Sequence, residues 1–199
     1  MTAKALALAL LVATPALAGH PGENLNEVMA AKEAAFEPVA ARAAPELKVG
    51  SGVVLEELKG KIIALSFVPE KCNAQCADQQ DLIEHSLVAL NAGPMRDMVE
   101  FVTIADKDVA RSEVPDNWTH ILAGDAQSSA QLAAAFAAAS DRPDTAPMIH
   151  LLDRDGRQVG IFHGSEFLPL NLVLYINGLT NAHPHPDPSV FERLFGWLK

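Results

Sequence analysis

Cys72 and Cys76 are the only two cysteines in this 199-residue chain. They stand in "FVPEKCNAQCADQQ", directly after the apolar run "KIIALSFV". A Cys-x-x-x-Cys pair can form a structural bridge, exchange disulfides, or clamp a soft metal ion. A bridge closing so short a loop removes little entropy from the unfolded chain, so stability alone does not account for the pair. Thiolates at i and i+4 on a helix face the same way and suit a soft ion such as copper(I). The same two thiols can attack and resolve a partner's disulfide.

The surrounding pattern says what must hold them. "IIALSFV", residues 62 to 68, is nearly all apolar, as expected of a central strand covered on both faces. "AQCADQQDLIEHSLVALNAG" reads as a helix whose buried stripe is Leu82, Ile83, Leu87, Val88 and Leu90, ended by Gly93-Pro94. The cysteines thus sit at a strand exit that opens a helix. Unpaired N–H groups and partial positive charge there stabilise a thiolate, with Cys72 nearest the helix start and Lys71 adding to the effect.

Upstream, the Ala-rich stretch 24 to 44 reads as helical, with Val28, Met29 and Phe36 at helical spacing and Pro38 interrupting it. "KVGSGVVLEELKGK" predicts a short strand or hairpin and a turn. Downstream come a strand "EFVTIA", a short strand and turn "WTHILAGD", and a helix "AQSSAQLAAAFAAAS". A hairpin "APMIHLLDRDGRQVGIFHG" turns about Asp-Arg-Asp-Gly, and "FLPLNLVLYINGL" follows as a helix with Leu172, Tyr175, Ile176 and Leu179 on one face. Strands alternating with helices and then a hairpin predict a mixed α/β sheet of at least four strands flanked by helices, with the cysteines where thioredoxin-like folds keep theirs.

The first residues, "MTAKALALALLVATPALAGH", have the layout of a secretory signal peptide cleaved after Ala18. The apolar run is about a dozen residues, shorter than the roughly 20 a membrane-spanning helix needs. Export to a periplasm, where disulfides persist, is the expectation. The formal net charge is −10 and no basic patch is visible, which argues against a nucleic-acid partner. The remaining chain, about 180 residues, suits one domain: an N-terminal helical extension over 19–46, a thioredoxin-like domain over 47–180, and a Pro/His linker with a terminal amphipathic helix over 181–199.

"LKGKIIALSFVPEKCNAQC" resembles the start of the Sco/SenC family of copper-delivery and thiol–disulfide proteins, with its "LKGK" turn, apolar strand and Cys-x-x-x-Cys. "EFVTIADKD", "WTHILAGDAQSSAQLAAAF" and "IHLLDRDGRQVGIFHG" are similar, in order, to the family's later segments, so the resemblance covers residues 47 to 180. It implies a thioredoxin-like fold, copper handling or redox maintenance in cytochrome oxidase assembly, and a periplasmic or membrane-bound partner protein. Cys72 and Cys76 match the family's metal-binding and redox-active cysteines. The family's copper histidine, counted back from "LLDRDG", falls near Thr145, in "DTAPM", and Asn73 stands where a proline commonly follows the first cysteine. "Thr145-Ala146-Pro147" instead resembles the thioredoxin loop whose cis-proline packs against the thiols, which makes Pro147 the third site residue and predicts a cis Ala146–Pro147 bond.

Other ligands compete for the place of that histidine. His85 lies more than two turns beyond Cys76. His120 and His150 fall in predicted strands, where a satisfied core histidine is the commoner case, and His163 ends the hairpin. His183 and His185 lie in the Pro/His linker, and His20 would follow the new N-terminus. Met95 and Met98 are soft donors, but core positions are the more common use. Two alternatives to copper handling stand: a general thiol–disulfide oxidoreductase, and a binding module that uses its thiols little. A peroxidase is disfavoured because "VPEK" precedes Cys72 without the peroxiredoxin Thr-x-x-Cys. The tail "SVFERLFGWLK" predicts an amphipathic helix that packs on the domain or docks a partner, with too little positive charge for more than weak membrane association.

Overall fold

The computed structural model describes residues 24–49, 52–108, 114–124 and 127–182. The expected signal peptide over 1–18, His20, His183, His185 and the expected terminal helix lie outside these residues. In chain order the elements are α1 (Leu25–Lys32), β1 (Phe36–Ala43), β2 (Lys48–Val49), β3 (Gly52–Val53), α2 (Val54–Glu57), β4 (Ile62–Val68) and α3 (Ala74–Asn91). A short 3-10 turn (Arg96–Met98), β5 (Val99–Ala105), β6 (Trp118–Leu122), α4 (Ser129–Ala137), β7 (Met148–Leu152), β8 (Arg157–His163) and α5 (Pro169–Asn181) follow.

Six strands form one sheet in the order β1-β8-β7-β4-β5-β6, and β2 and β3 make a separate small hairpin. The β4–α3–β5 unit is parallel, β6 adds parallel to β5, and β7 runs antiparallel to β4. β7 and β8 form the expected hairpin, turned by Gly156 at φ 74°, a conformation glycine adopts without the Cβ penalty. This is a thioredoxin-like α/β sheet. Apolar residues of β4 alternate between two cores. Ile62 and Ala64 meet Leu82, Ile83 and Leu87 of α3 and the buried face of α5. Ile63, Leu65 and Phe67 meet Leu132 and Phe136 of α4. Both faces of β4 are therefore covered, which is why its sequence reads as an unbroken apolar run. Among the described residues, no helix is long and apolar enough to cross a membrane.

Two expectations fail here. Residues 36–43 are not helical: "FEPVAARA" is an edge strand of the main sheet, antiparallel to β8, with a register shift between Pro38 and Arg42. The alanines favour helix, but Pro38 forbids a helix interior and is tolerated in an edge strand at a bulge. Burial of Phe36 and Val39 in the core then outweighs propensity. Val88, placed in the α3 stripe, is 68% exposed, while Gln79, Gln80 and Ser86 are buried.

Candidate functional site

The chain leaves β4 through Pro69, whose carbonyl accepts from the Cys72 N–H at 2.9 Å in a tight turn. Asn73 caps α3, its side chain accepting from the Gln75 N–H at 3.1 Å. That uses one of the helix's unpaired donors and fixes where the first turn begins. Cys76 lies inside that turn and its N–H donates to the Asn73 carbonyl at 3.1 Å. The two cysteines are joined by a disulfide, with Cα atoms 6.0 Å apart. Cys72 is half-buried and Cys76 only 4% exposed, so the first sulfur is the one a partner can reach.

Two hollows meet at this disulfide. One, about 450 Å³, is lined by Cys72 and Cys76 together with Phe67, an alanine face of α4, the 144–147 loop, Met148 and His150. The other, about 320 Å³, lies toward Glu70, Gln80 and Lys107. Another hollow, about 510 Å³, is bordered by Asn26, Asp153 and Tyr175 and contains neither cysteine nor histidine among its lining residues.

The loop before the cysteines is anchored by Asp106 at the end of β5. Its carboxylate accepts from the Glu70 N–H at 2.9 Å and from the Ser129 N–H, at the start of α4, at 2.7 Å. Burial alone would push the Asp106 carboxyl up, but these N–H donors outweigh it and hold it below the usual range. One carboxylate thus ties the cysteine turn to the helix forming the opposite wall.

Pro147 lines the cysteine hollow, as does Thr145. The Ala146–Pro147 bond is not cis, since the described residues contain no cis peptide. This corrects the expectation drawn from "Thr-Ala-Pro". Trans is the intrinsic preference of an X–Pro bond, and the loop is fixed by other means. The Pro147 carbonyl accepts from the Gly164 N–H at 2.8 Å and from Gln79 Nε2 at 2.9 Å. Gln79 Nε2 also donates to the Gly164 carbonyl at 2.8 Å, where the backbone takes φ 72°. Gln79 lies one turn beyond Cys76, so the cysteine helix itself holds the loop.

The remaining candidates separate clearly. His150 lies on the wall of the cysteine hollow, 1% exposed, with its ring beside Phe67 and Phe136 at centroid distances of 5.8 and 5.4 Å. Its Nδ1 lies 3.0 Å from Gln158 Nε2. Burial, with His163 a lesser influence, pushes its imidazole down to about 3, so it is neutral at neutral pH. His163 stands between Glu37 (Nε2, 2.7 Å) and Asp144 (Nδ1, 3.1 Å). His85 is exposed on α3, and the His120 ring lies against Trp118. Met95 and Met98 pack at the opposite end of the sheet, their sulfurs near Thr180 and Arg154. Among the described residues, no three His, Cys, Asp or Glu side chains converge on a point that could hold a metal ion.

Sequence reasoning passed over Gln79, Asp106 and Met148. Gln79 carried a signal: a polar pair, Gln79-Gln80, one turn from Cys76 and one turn before Leu82-Ile83, on the face that must be buried. Gln80 joins a buried network, donating to Ser66 Oγ at 3.2 Å and accepting from Thr103 Oγ1 at 3.0 Å, to which Trp118 Nε1 also donates at 3.0 Å.

No protein-family model matches the sequence, and comparison with curated proteins finds no match. Comparison with solved structures finds Sco-family proteins. BsSco, a member of the Sco family of cytochrome c oxidase assembly proteins in which a disulfide switch has been identified, is 17% identical at a TM-score of 0.50. The alignment covers 74% of this chain and 94% of that one, a likeness of fold. Apo Sco1 of Thermus thermophilus is 17% identical, at a TM-score of 0.48 over 72% of this chain and 92% of its own. Copper-bound ScoI of Bradyrhizobium japonicum is 20% identical, at 0.44 over 62% and 88%.

Proposed function

We propose that this chain is an exported Sco-type protein that delivers copper to, or keeps reduced, the copper site of a cytochrome oxidase during assembly. The observation that carries the reading is the placement of Cys72 and Cys76: a half-exposed sulfur just before a helix and a buried one in its first turn, at the edge of a hollow. The ordered motifs from residue 47 to 180 and the likeness of fold to BsSco support it. The periplasm is the proposed location, from the leader at residues 1 to 18.

The chemistry follows from the thiols. A partner dithiol attacks the disulfide at Cys72, the exposed sulfur, and Cys76 leaves as the thiolate. The partner's second thiol then attacks the mixed disulfide and releases Cys72. Two electrons and two protons pass to this chain from that reducing partner, which ends as a disulfide; the same steps in reverse, on an oxidised disulfide at the oxidase site, return them and leave the site's thiols reduced while Cys72 and Cys76 close again. The helix start stabilises the Cys72 thiolate once the second attack releases it. The reduced pair can take copper(I) as cargo, two thiols losing two protons as two Cu–S bonds form.

A second reading, a thiol–disulfide oxidoreductase without copper, is favoured by one observation: the stretch near Thr145, where the resemblance would put the family histidine, lines the hollow without a histidine. Copper(I) stoichiometry on the reduced protein and on Cys72→Ser and Cys76→Ser separates the two. One copper per chain, lost in both variants, supports the Sco-type reading. No copper together with rapid exchange on disulfide peptides overturns it for the second.

A further inference from the structure

On the copper reading above, Cys72 and Cys76 alone do not complete the ion's coordination. Two thiolates leave room for a third soft donor, and copper(I) takes thioether, thiolate or imidazole. The wall of the cysteine hollow offers two such groups beyond the cysteines, Met148 and His150. His150 is the deeper, 1% exposed, beside two phenylalanine rings and with Nδ1 engaged by Gln158. Its imidazole does not converge with the two sulfurs, since no triad of His, Cys, Asp or Glu side chains does so among the described residues. Asp144 and Thr145, also on the wall, are hard oxygen donors unsuited to the ion.

Met148 differs in donor, depth and freedom of movement. It begins β7, is half-buried, and directly follows Pro147. The backbone at that point is held by Gln79, one turn beyond Cys76, through the 2.9 Å bond to the Pro147 carbonyl. The start of β7 is therefore fixed to the same helix that carries the second thiol. A methionine has three rotatable side-chain bonds and a polarizable sulfur, so it can turn toward an ion without moving the backbone. We propose that the Met148 thioether is the third ligand of a copper(I) ion held by Cys72 and Cys76, giving an all-sulfur site in place of two sulfurs and an imidazole.

The test uses the whole chain, reduced and kept anaerobic, with copper(I) competed against a chromophoric chelator and the metal's neighbours read by X-ray absorption. The expected wild-type result is one copper per chain in a shell of three sulfurs. Met148→Leu, a volume-conserving exchange, should leave denaturation unchanged, reduce the shell to two sulfurs and weaken copper(I) by about tenfold or more. His150→Phe should leave the shell intact. Selenomethionine labelling gives a check independent of affinity: a copper neighbour at the selenium edge that Met148→Leu abolishes. A wild-type shell with an imidazole nitrogen and only two sulfurs, or a Met148→Leu variant indistinguishable from wild type, overturns the assignment while leaving copper delivery standing. A reduced wild type with two titratable thiols and no copper overturns both.

Discussion

Gln79 and Pro147 are 68 residues apart and joined by one hydrogen bond of 2.9 Å, from the side chain of the cysteine helix to the carbonyl of the opposing loop. The same nitrogen reaches the Gly164 carbonyl at 2.8 Å, so a single amide fixes both the loop entering β7 and the turn leaving β8. Gln79→Leu keeps the bulk and removes the donor. It leaves the Gly164 carbonyl without this partner, and stranding a buried polar group costs about 1–3 kcal/mol. Urea denaturation should show a loss of that size, and proteolysis should become faster in the 140–147 loop.

The second expectation concerns acid. Glu37 on β1 accepts from Ser140 Oγ at 2.6 Å and the Asp141 N–H at 2.7 Å, with His163 Nε2 at 2.7 Å. Burial pushes its carboxyl up, but these partners outweigh it and the net shift is downward. A carboxyl lowered in the folded state contributes stability that is full above its unfolded value, about 4.3, and is lost as pH falls through the folded value. Stability should therefore fall below about pH 4.3 in the wild type, and less steeply in Glu37→Gln. A denaturation series from pH 7 to pH 3 reads the difference in slope.

Thr103 sits at the centre of the buried network, bonded to Gln80, Ser66 and the Trp118 indole. Thr103→Val preserves shape and removes the buried hydroxyl that Gln80, Ser66 and the Trp118 indole share. The expected cost is about 1–3 kcal/mol in chemical denaturation. Ser66→Ala should cost less, because Thr103 and Gln80 keep each other.

Reactivity of the reduced thiols follows from their places. Cys72 precedes the helix and is half-exposed, whereas Cys76 is buried in its first turn. Alkylation of Cys76→Ser, which leaves Cys72 free, should be about tenfold faster than alkylation of Cys72→Ser near neutral pH. Equal rates would remove the assignment of Cys72 as the attacking sulfur.

Much of this was legible in the sequence. Strands β4 and β5 announce themselves as apolar runs because both faces are covered, and the β7–β8 hairpin through its Asp-Arg-Asp-Gly turn. The cysteines' position followed from the strand exit and the helix spacing behind it. Strand β1 was not legible: its alanines carry helical propensity, and its conformation is set by pairing with residues more than 110 positions away. Gln79 and Met148 were hidden for a related reason. Each gains its meaning from a loop that only the tertiary fold brings beside the thiols.

Strand β1 also has a bearing on behaviour at high concentration. The margin of a sheet is a template on which another copy can lay a strand and begin polymerising. Here the margin is interrupted: Pro38 has no N–H to donate, and the register slips before Arg42. A newcomer would find no continuous ladder to copy.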